Sequence, residues 1–205
     1  MSEARLVDVS TPRDPRGLVV VLHGGASRGS GVAVSPTQLS VLRMIPVARR
    51  IARVGRGRLG VSRLLNSYRG WDTTHTPVSD AHGAIDALLE RHPGLPVALV
   101  GHSLGGRAAL LAGGHPAVTA VVALNPWVYP TDDVDLGGRR VLVLHGTDDR
   151  IASPDRSRAV TDRLATRTEA TYVEVPGGKH AMLSHRRAFE VPTAAFVADA
   201  LAVRR

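Results

Sequence analysis

Residues 97–106 read Val97-Ala-Leu-Val-Gly-His-Ser-Leu-Gly-Gly106, and this stretch has the form of a strand, a turn and a helix. A short apolar run ends at Gly101, Ser103 follows two residues later, and a helical Arg-Ala-Ala-Leu-Leu-Ala pattern begins at Arg107. In that context G-x-S-x-G describes a turn so sharp that side chains two residues before and two residues after the serine would collide. Glycine stands at both positions, and the serine hydroxyl projects above the sheet edge. Ser103 is therefore a candidate nucleophile.

Strand-length apolar runs alternate with helix-like runs along the chain. Strands are predicted at residues 6–9, 17–22, 59–65, 97–100, 120–124, 141–144 and 171–175. Helices are predicted at residues 45–54, from Thr76 onward, after Ser103, at 154–166 and at 187–203, whereas residues 26–40, rich in Gly, Ser and Pro, are predicted to form a loop. This alternation predicts a doubly wound α/β fold, in which a mostly parallel sheet of about seven strands is covered on both faces. The length predicts a single domain over residues 1–205.

The composition limits the classes of partner. The net charge is +8, but its arginines are spread along the chain and the few aromatic residues show no stacking pattern, so no nucleic-acid partner is predicted. No apolar run approaches the roughly 18 residues that span a membrane, and the first residues lack the apolar core of a secretory signal. A cytoplasmic protein without a membrane partner is therefore expected. The chain has no cysteine and its nine histidines lack a metal-site spacing, so no metal is predicted. The oligomeric state stays open.

Polar residues follow four of the predicted strands, at the edge where open parallel sheets bind their ligands. These residues are His23-Gly24-Gly25, Ser103, Asp148-Asp149 and Gly177-Gly178-Lys179-His180. A serine hydroxyl becomes nucleophilic when a base removes its proton, and His180 is the candidate base. Its rival is His185, which lies in the run-up to the last helix and is predicted to face solvent.

The candidate histidine and serine each need further groups. A carboxylate behind the histidine would fix its tautomer. Asp148 and Asp149 are both candidates, but adjacent side chains that leave a strand point in different directions, so only one should meet the histidine. Backbone N–H groups usually hold the negative charge that develops on a substrate carbonyl oxygen. Leu104 can supply one such donor and Gly25 the other, with Ala26 as the alternative.

Together these residues resemble the α/β-hydrolase superfamily over essentially the whole chain. Residues 101–105 are similar to its nucleophile elbow, His23-Gly24-Gly25 to its oxyanion loop, and residues 178–180 to its histidine loop. The segment His145-Gly-Thr-Asp-Asp-Arg-Ile-Ala-Ser-Pro154 is similar to its acid loop, and this likeness implies Asp149 as the triad acid. More narrowly, the chain resembles small bacterial hydrolases of the dienelactone-hydrolase-like group, although true dienelactone hydrolases use a cysteine nucleophile. The resemblance implies no cofactor.

The resemblance also concerns the surroundings of the site. Many superfamily members insert a helical lid after the strand at 120–124, but here about 16 residues separate that strand from the next, which predicts a lidless, shallow site. Trp127 and Tyr129 follow the same strand and are candidates for substrate binding, as are Trp71 and Met182.

The activity that the resemblance implies is that of a serine esterase, which cleaves a small-molecule ester through an acyl-enzyme on Ser103. Two enzyme alternatives use the same triad, a thioesterase and a cofactor-free perhydrolase. A third alternative is a hydrolase-fold protein that binds its ligand without catalysis, because one fold hosts many functions.

Overall fold

The computed structural model describes residues 3–25 and 31–202. The described residues form seven strands, which are β1 (Arg5–Ser10), β2 (Gly17–Leu22), β3 (Leu59–Leu65), β4 (Val97–His102), β5 (Val118–Leu124), β6 (Arg140–Gly146) and β7 (Glu169–Val175). They also form five helices, which are α1 (Leu39–Gly55), α2 (Thr76–Arg91), α3 (Leu104–Ala112), α4 (Pro154–Ala165) and α5 (Arg186–Ala200). Strands and helices alternate from β2 onward, except that residues 125–139, all of them described, join β5 to β6 without a helix.

The strands form one sheet in the order β1-β3-β2-β4-β5-β6-β7. Strand β1 is antiparallel to β3, and the other neighbouring strands are parallel to each other. The doubly wound, mostly parallel sheet predicted from the sequence is thereby confirmed. In this topology the carboxyl ends of the parallel strands share one edge, where the residues after β2, β4, β6 and β7 come together.

Two apolar cores lie on opposite faces of the sheet, because alternate side chains of each strand point to opposite sides. On one face Val20 and Leu99 pack with residues of α2, α3 and α4, such as Ile85. On the other face Val21 packs with residues of α1 and α5, such as Phe189. Every residue of β2 is buried, as expected of a central parallel strand covered on both sides. No helix in the two described ranges combines the length and the apolar character of a transmembrane segment.

Helix α1 begins earlier than the sequence predicted. It begins at Leu39 rather than at residue 45, inside the stretch predicted to be a loop, and Pro46 lies within it. Proline usually marks the first turn of a helix, which explains the error. Val41 and Met44 are buried upstream of the proline, and their burial offsets the helix hydrogen bond that the proline removes. The remainder of that predicted loop includes residues 26–30, which lie outside the described residues, as does the predicted end of α5 at residue 203.

Candidate active site

Ser103 lies in a strained turn between β4 and α3. Its backbone has φ 57° and ψ −122°, a conformation that L residues rarely adopt. A Cβ on Gly101 would lie 2.0 Å from the carbonyl oxygen of Gly105, and a Cβ on Gly105 would lie 2.4 Å from that of His23. Both contacts are with backbone, which cannot move aside. The two glycines of the motif therefore allow the turn that places Ser103 at the sheet edge.

Three side chains from three strand ends form a hydrogen-bonded row. Ser103 Oγ lies 2.9 Å from His180 Nε2, and His180 Nδ1 lies 2.8 Å from Asp149 Oδ2. In the neutral tautomer with a proton on Nδ1, the imidazole donates to the carboxylate and Nε2 accepts from the serine hydroxyl. This is the geometry in which a histidine can take a proton from a serine.

The carboxylate of Asp149 is held in its ionised form. Its Oδ1 accepts hydrogen bonds from the backbone N–H groups of Ile151, at 2.8 Å, and Ala152, at 3.0 Å. Burial alone would raise the pKa of Asp149, but the hydrogen bonds from His145 and His180 and from the two backbone groups outweigh it and lower that pKa. Its neighbour Asp148 is exposed, and its backbone N–H donates to Gly178 O. Of the two aspartates that residue chemistry left open, the structure brings Asp149 to His180.

A second histidine contacts the same carboxylate oxygen. The side chain of His145 is fully buried, and its Nε2 lies 3.2 Å from Asp149 Oδ2 and 3.3 Å from Ala152 O. A proton on Nε2 can be shared between these two acceptors. Sequence reasoning assigned His145 to packing at the end of its strand and missed its contact with Asp149, although the spacing of four residues was visible.

Two further buried residues hold the loop that carries His180. The carbonyl oxygen of His180 accepts from Asn125 Nδ2 at 3.1 Å and from His102 Nε2 at 2.8 Å. Asn125 has φ 43° and also accepts the backbone N–H of Gly146 at 2.8 Å. It thus ties the ends of β5 and β6 to the histidine loop. Sequence reasoning missed both residues, because their partners are backbone groups far away in the chain.

His102 carries no charge in the folded protein at neutral pH. Burial, with a smaller contribution from the neighbouring His180, lowers the pKa of His102 to about 3, although the hydrogen bond to His180 O acts in the opposite direction. The ring of His102 lies beside that of His180, with centroids 4.9 Å apart. A neutral His102 can donate one N–H to the histidine loop without adding a second positive charge next to His180.

We expect His102 to make the fold sensitive to acid. The unfolded imidazole binds a proton below pH 6.5, whereas the folded one does so only near pH 3, so stability is lost as the pH falls through this window. At pH 4.5 the loss is roughly 3 kcal/mol at most. Urea unfolding at pH 7.5 and pH 4.5 measures it. The wild type should lose that much more stability than His102→Gln, which cannot be protonated; equal losses would contradict the prediction.

The two backbone N–H groups predicted as oxyanion donors belong to residues at the ends of β2 and β4, and their role stays a prediction. Leu104 is the first residue of α3, where helix geometry leaves the N–H without a carbonyl partner inside the helix. Gly25 follows β2, and a Cβ there would lie 2.0 Å from Arg69 O, so only glycine fits. Gly24 packs on the serine, since a Cβ added to it would be 3.1 Å from Ser103 Cβ. Ala26, the alternative donor, lies outside the described residues.

The loop that carries Gly25 is fixed by a buried histidine. His23 Nδ1–H donates to Gly24 O at 2.6 Å, and His23 Nε2 accepts from the backbone N–H of Asn66 at 3.2 Å. Burial lowers the pKa of His23, which keeps this ring neutral so that it can both donate and accept. His23 therefore acts on the position of the loop and does not reach the hydrogen-bonded row.

Two of the aromatic residues predicted to bind substrate pack against a buried arginine. The guanidinium of Arg107 lies 4.1 Å from the ring centroid of Trp71 and 4.6 Å from that of Tyr129. It also forms two hydrogen bonds with the carboxylate of Asp132, at 2.7 and 2.8 Å. The cluster ties the connection between β5 and β6 to α3. Substrate contact by Trp71 and Tyr129 stays a prediction.

The other two predicted substrate-binding residues line separate cavities. Trp127 is half-buried and lines a cavity of about 420 Å³ together with Arg150 and Arg156. Met182 is buried and lines a cavity of about 290 Å³ between α1 and the segment that follows His180.

His185 is exposed at the beginning of α5 and bonds to Ser184 Oγ at 3.1 Å, away from the row. Within residues 3–25 and 31–202, no three His, Asp or Glu side chains are grouped as metal ligands.

The fold and the family match define the class of this protein. A seven-stranded, mostly parallel sheet with a serine in a strained strand-to-helix turn is the architecture of the α/β serine hydrolases. Residues 13–141 match the family described as serine aminopeptidase, S33, and the chain belongs to that family.

Individual relatives agree with this class. Human monoglyceride lipase is 30% identical over 120 residues, and the match covers 55% of this chain but only 37% of the human protein. A serine hydrolase without a lid from Xanthomonas campestris is 16% identical, with a TM-score of 0.64 over 98% of this chain and 95% of that one. A monoacylglycerol lipase from Paleococcus ferrophilus is 19% identical, with a TM-score of 0.64 over 98% of this chain and all of the other. At these identities the two structures show the shared fold.

Proposed function

We propose that this protein is a serine esterase that cleaves small carboxylic esters through an acyl-enzyme on Ser103. The observation that carries the proposal is the uninterrupted row from Ser103 Oγ through His180 to Asp149, with both heavy-atom distances below 3 Å. The row supplies a nucleophile, a base and a carboxylate that orients the base. The names of two relatives, a monoglyceride lipase and a monoacylglycerol lipase, support ester substrates.

In the first half of the reaction Ser103 Oγ bonds to the ester carbonyl carbon while His180 Nε2 takes the hydroxyl proton. The carbonyl oxygen becomes an oxyanion that accepts from the N–H groups of Leu104 and Gly25. His180 then returns the proton to the alkoxide oxygen as the carbon–oxygen bond breaks, and the alcohol leaves. Asp149 stays ionised throughout and stabilises the imidazolium.

In the second half a water molecule takes the place of the alcohol. His180 removes its proton as the water oxygen bonds to the acyl carbon, and the proton passes to Ser103 Oγ when the acyl–serine bond breaks. The carboxylic acid leaves and the free serine is restored. Apart from the ester and one water molecule, the row and the two backbone donors are enough to balance this sequence.

The charges near the site favour esters over peptides with a free amino terminus. An aminopeptidase must hold the positive amino group of its substrate, which calls for an unpaired carboxylate near the nucleophile. The cavity beside Trp127 is lined instead by Arg150 and Arg156, while Asp149 already accepts from two imidazoles. A cationic amine would be repelled by these two guanidinium groups, which supports an ester substrate over a peptide with a free amino terminus.

A fluorophosphonate probe tests the proposal together with p-nitrophenyl butyrate. An activated serine should be labelled at Ser103 and should hydrolyse the ester, and a thioester substrate measured in parallel separates an esterase from a thioesterase. A hydrolase-fold protein that only binds would neither be labelled nor turn over the ester, and that result would refute the proposed activity.

His145 should set the pH at which the row works. Because its N–H shares Asp149 Oδ2 with His180, removing it leaves the carboxylate more basic toward His180 and stabilises the imidazolium. For His145→Phe we expect the midpoint of the kcat/KM–pH profile to rise by about half a pH unit or more. The His145→Gln variant keeps an N–H donor and should stay closer to the wild type. A profile that is unchanged in His145→Phe would contradict the expectation, whatever happens to stability.

A further inference from the structure

The cavity next to Met182 lies at the same sheet edge as Ser103. It measures about 290 Å³, and its lining residues come from the beginning of α1, from the segment after His180 and from the beginning of α5. Helices that follow parallel strands begin at the carboxyl edge of the sheet, so the starts of α1 and α5 lie at the same edge as the hydrogen-bonded row. Ala181 and Met182, which line the cavity, follow His180 directly in the chain.

The cavity is lined mostly by apolar side chains, although Arg43, Arg186 and Glu190 also border it. Phe189 and Met182 are buried beneath it, with 0% and 3% of their surface exposed. Leu39 and Leu183 stand at the rim and are 75% and 74% exposed, and Leu42 beside them is also exposed. Large apolar side chains gathered around a pocket on an otherwise polar surface mark a site for an apolar ligand.

The charge of Arg43, which lines the cavity, acts on a residue that supports the hydrogen-bonded row. Arg43 lines the cavity, and its charge is among the influences, after burial and His180, that lower the pKa of His102. His102 in turn donates to the carbonyl oxygen of His180. Among the described residues Arg43 Nε is buried without an acceptor, so its stem forms part of the apolar wall. The charge of a residue that lines the cavity therefore acts on the histidine that supports the loop of His180.

We propose that this cavity receives the acyl chain of the ester substrate, which makes the protein selective for acyl chains of medium length. The proposal rests on the esterase function proposed above. At roughly 30 Å³ for each methylene-sized group, the cavity has room for a chain of about eight to ten carbons. This acyl chain is longer than the absence of a lid alone predicts. It would enter between α1 and the histidine loop, so no lid is needed to cover it.

A series of p-nitrophenyl esters from acetate to dodecanoate tests the proposal. In the wild type kcat/KM should rise about threefold for each added methylene from butyrate to octanoate and then level off. The variant Leu42→Asp places a charge at the rim, where 41% of the leucine surface is exposed, and urea unfolding checks that the variant is folded. It should lose at least about tenfold on octanoate and less than about twofold on acetate.

The matched variant is Trp127→Ala, which opens the other cavity. It should leave the ratio of octanoate to acetate hydrolysis unchanged. If Trp127→Ala removes the chain-length preference and Leu42→Asp keeps it, the acyl chain lies beside Trp127 and the proposal is overturned. A flat series in the wild type would overturn it as well.

Binding without turnover distinguishes failure of this proposal from failure of the esterase function. Calorimetric titration of the Ser103→Ala protein with octanoate should show binding that Leu42→Asp abolishes. If the wild type cleaves no ester but this binding is found, the esterase function is wrong and the apolar site stands. If esters are cleaved and Leu42→Asp affects neither binding nor the series, the apolar site is wrong and the esterase function stands.

Discussion

Ser103→Ala should lower kcat for p-nitrophenyl butyrate by at least about a thousandfold, and labelling by a fluorophosphonate should stop. The reason is that the substitution removes the one oxygen that lies 2.9 Å from His180 Nε2, while Asp149 and the two backbone donors stay in place. In other enzymes with this row, loss of the serine or the histidine costs about a millionfold, and the remaining rate comes from binding and the oxyanion donors. Retention of a tenth of the wild-type rate would show that another group attacks the ester.

A second serine gives the matched control. Ser157 is also buried and donates to Pro126 O at 3.3 Å, close to the site but outside the row. Ser157→Ala should therefore cost about 1 kcal/mol of stability and little activity.

Substituting glycine for the nucleophile separates strain from catalysis. Glycine relieves the φ of 57° that Ser103 and alanine must both adopt. Ser103→Gly should be as inactive as Ser103→Ala but more stable, by about 1 kcal/mol in urea unfolding. Equal stability of the two variants would mean that the turn stores no strain.

The parts of the site that could be predicted from the sequence are those fixed by backbone geometry. Glycine at positions 101 and 105 is required by contacts of 2.0 and 2.4 Å with backbone oxygens, so the turn shows itself as a short local pattern. The same holds for the strands, whose buried runs are continuous because both faces of the sheet are covered. Local patterns of this kind need no knowledge of distant partners.

The supporting residues could not be predicted, because their partners lie far away in the chain. Asn125 and His102 both act on the carbonyl oxygen of His180, 55 and 78 residues later. Every residue has a backbone carbonyl, so no residue type in the sequence indicates which carbonyl accepts these hydrogen bonds. The cluster around Arg107 could not be predicted for a similar reason. Trp71 and Tyr129 are far apart in the sequence, and both pack against the guanidinium of Arg107.

Asp149→Asn should reduce kcat by about ten thousandfold, the cost expected when the base is held in the wrong tautomer. Oδ1 of Asp149 accepts from two backbone N–H groups, so the amide oxygen of the asparagine must occupy that position. The NH₂ group then faces His180 Nδ1 and donates to it. The imidazole is forced to carry its proton on Nε2, where it meets the Ser103 hydroxyl as a second donor and can no longer accept.

The neighbouring aspartate offers a control with the same change in charge. Asp148 is exposed, and its tie to the histidine loop is a backbone N–H to Gly178 O that the substitution leaves intact. Asp148→Asn should therefore change kcat by less than about threefold. Circular dichroism and urea unfolding would show that both variants are folded before their rates are compared. Only a carboxylate in direct contact with His180 can select its tautomer. If Asp148→Asn lowered kcat more than Asp149→Asn, Asp149 would not be the residue that orients His180 during the reaction.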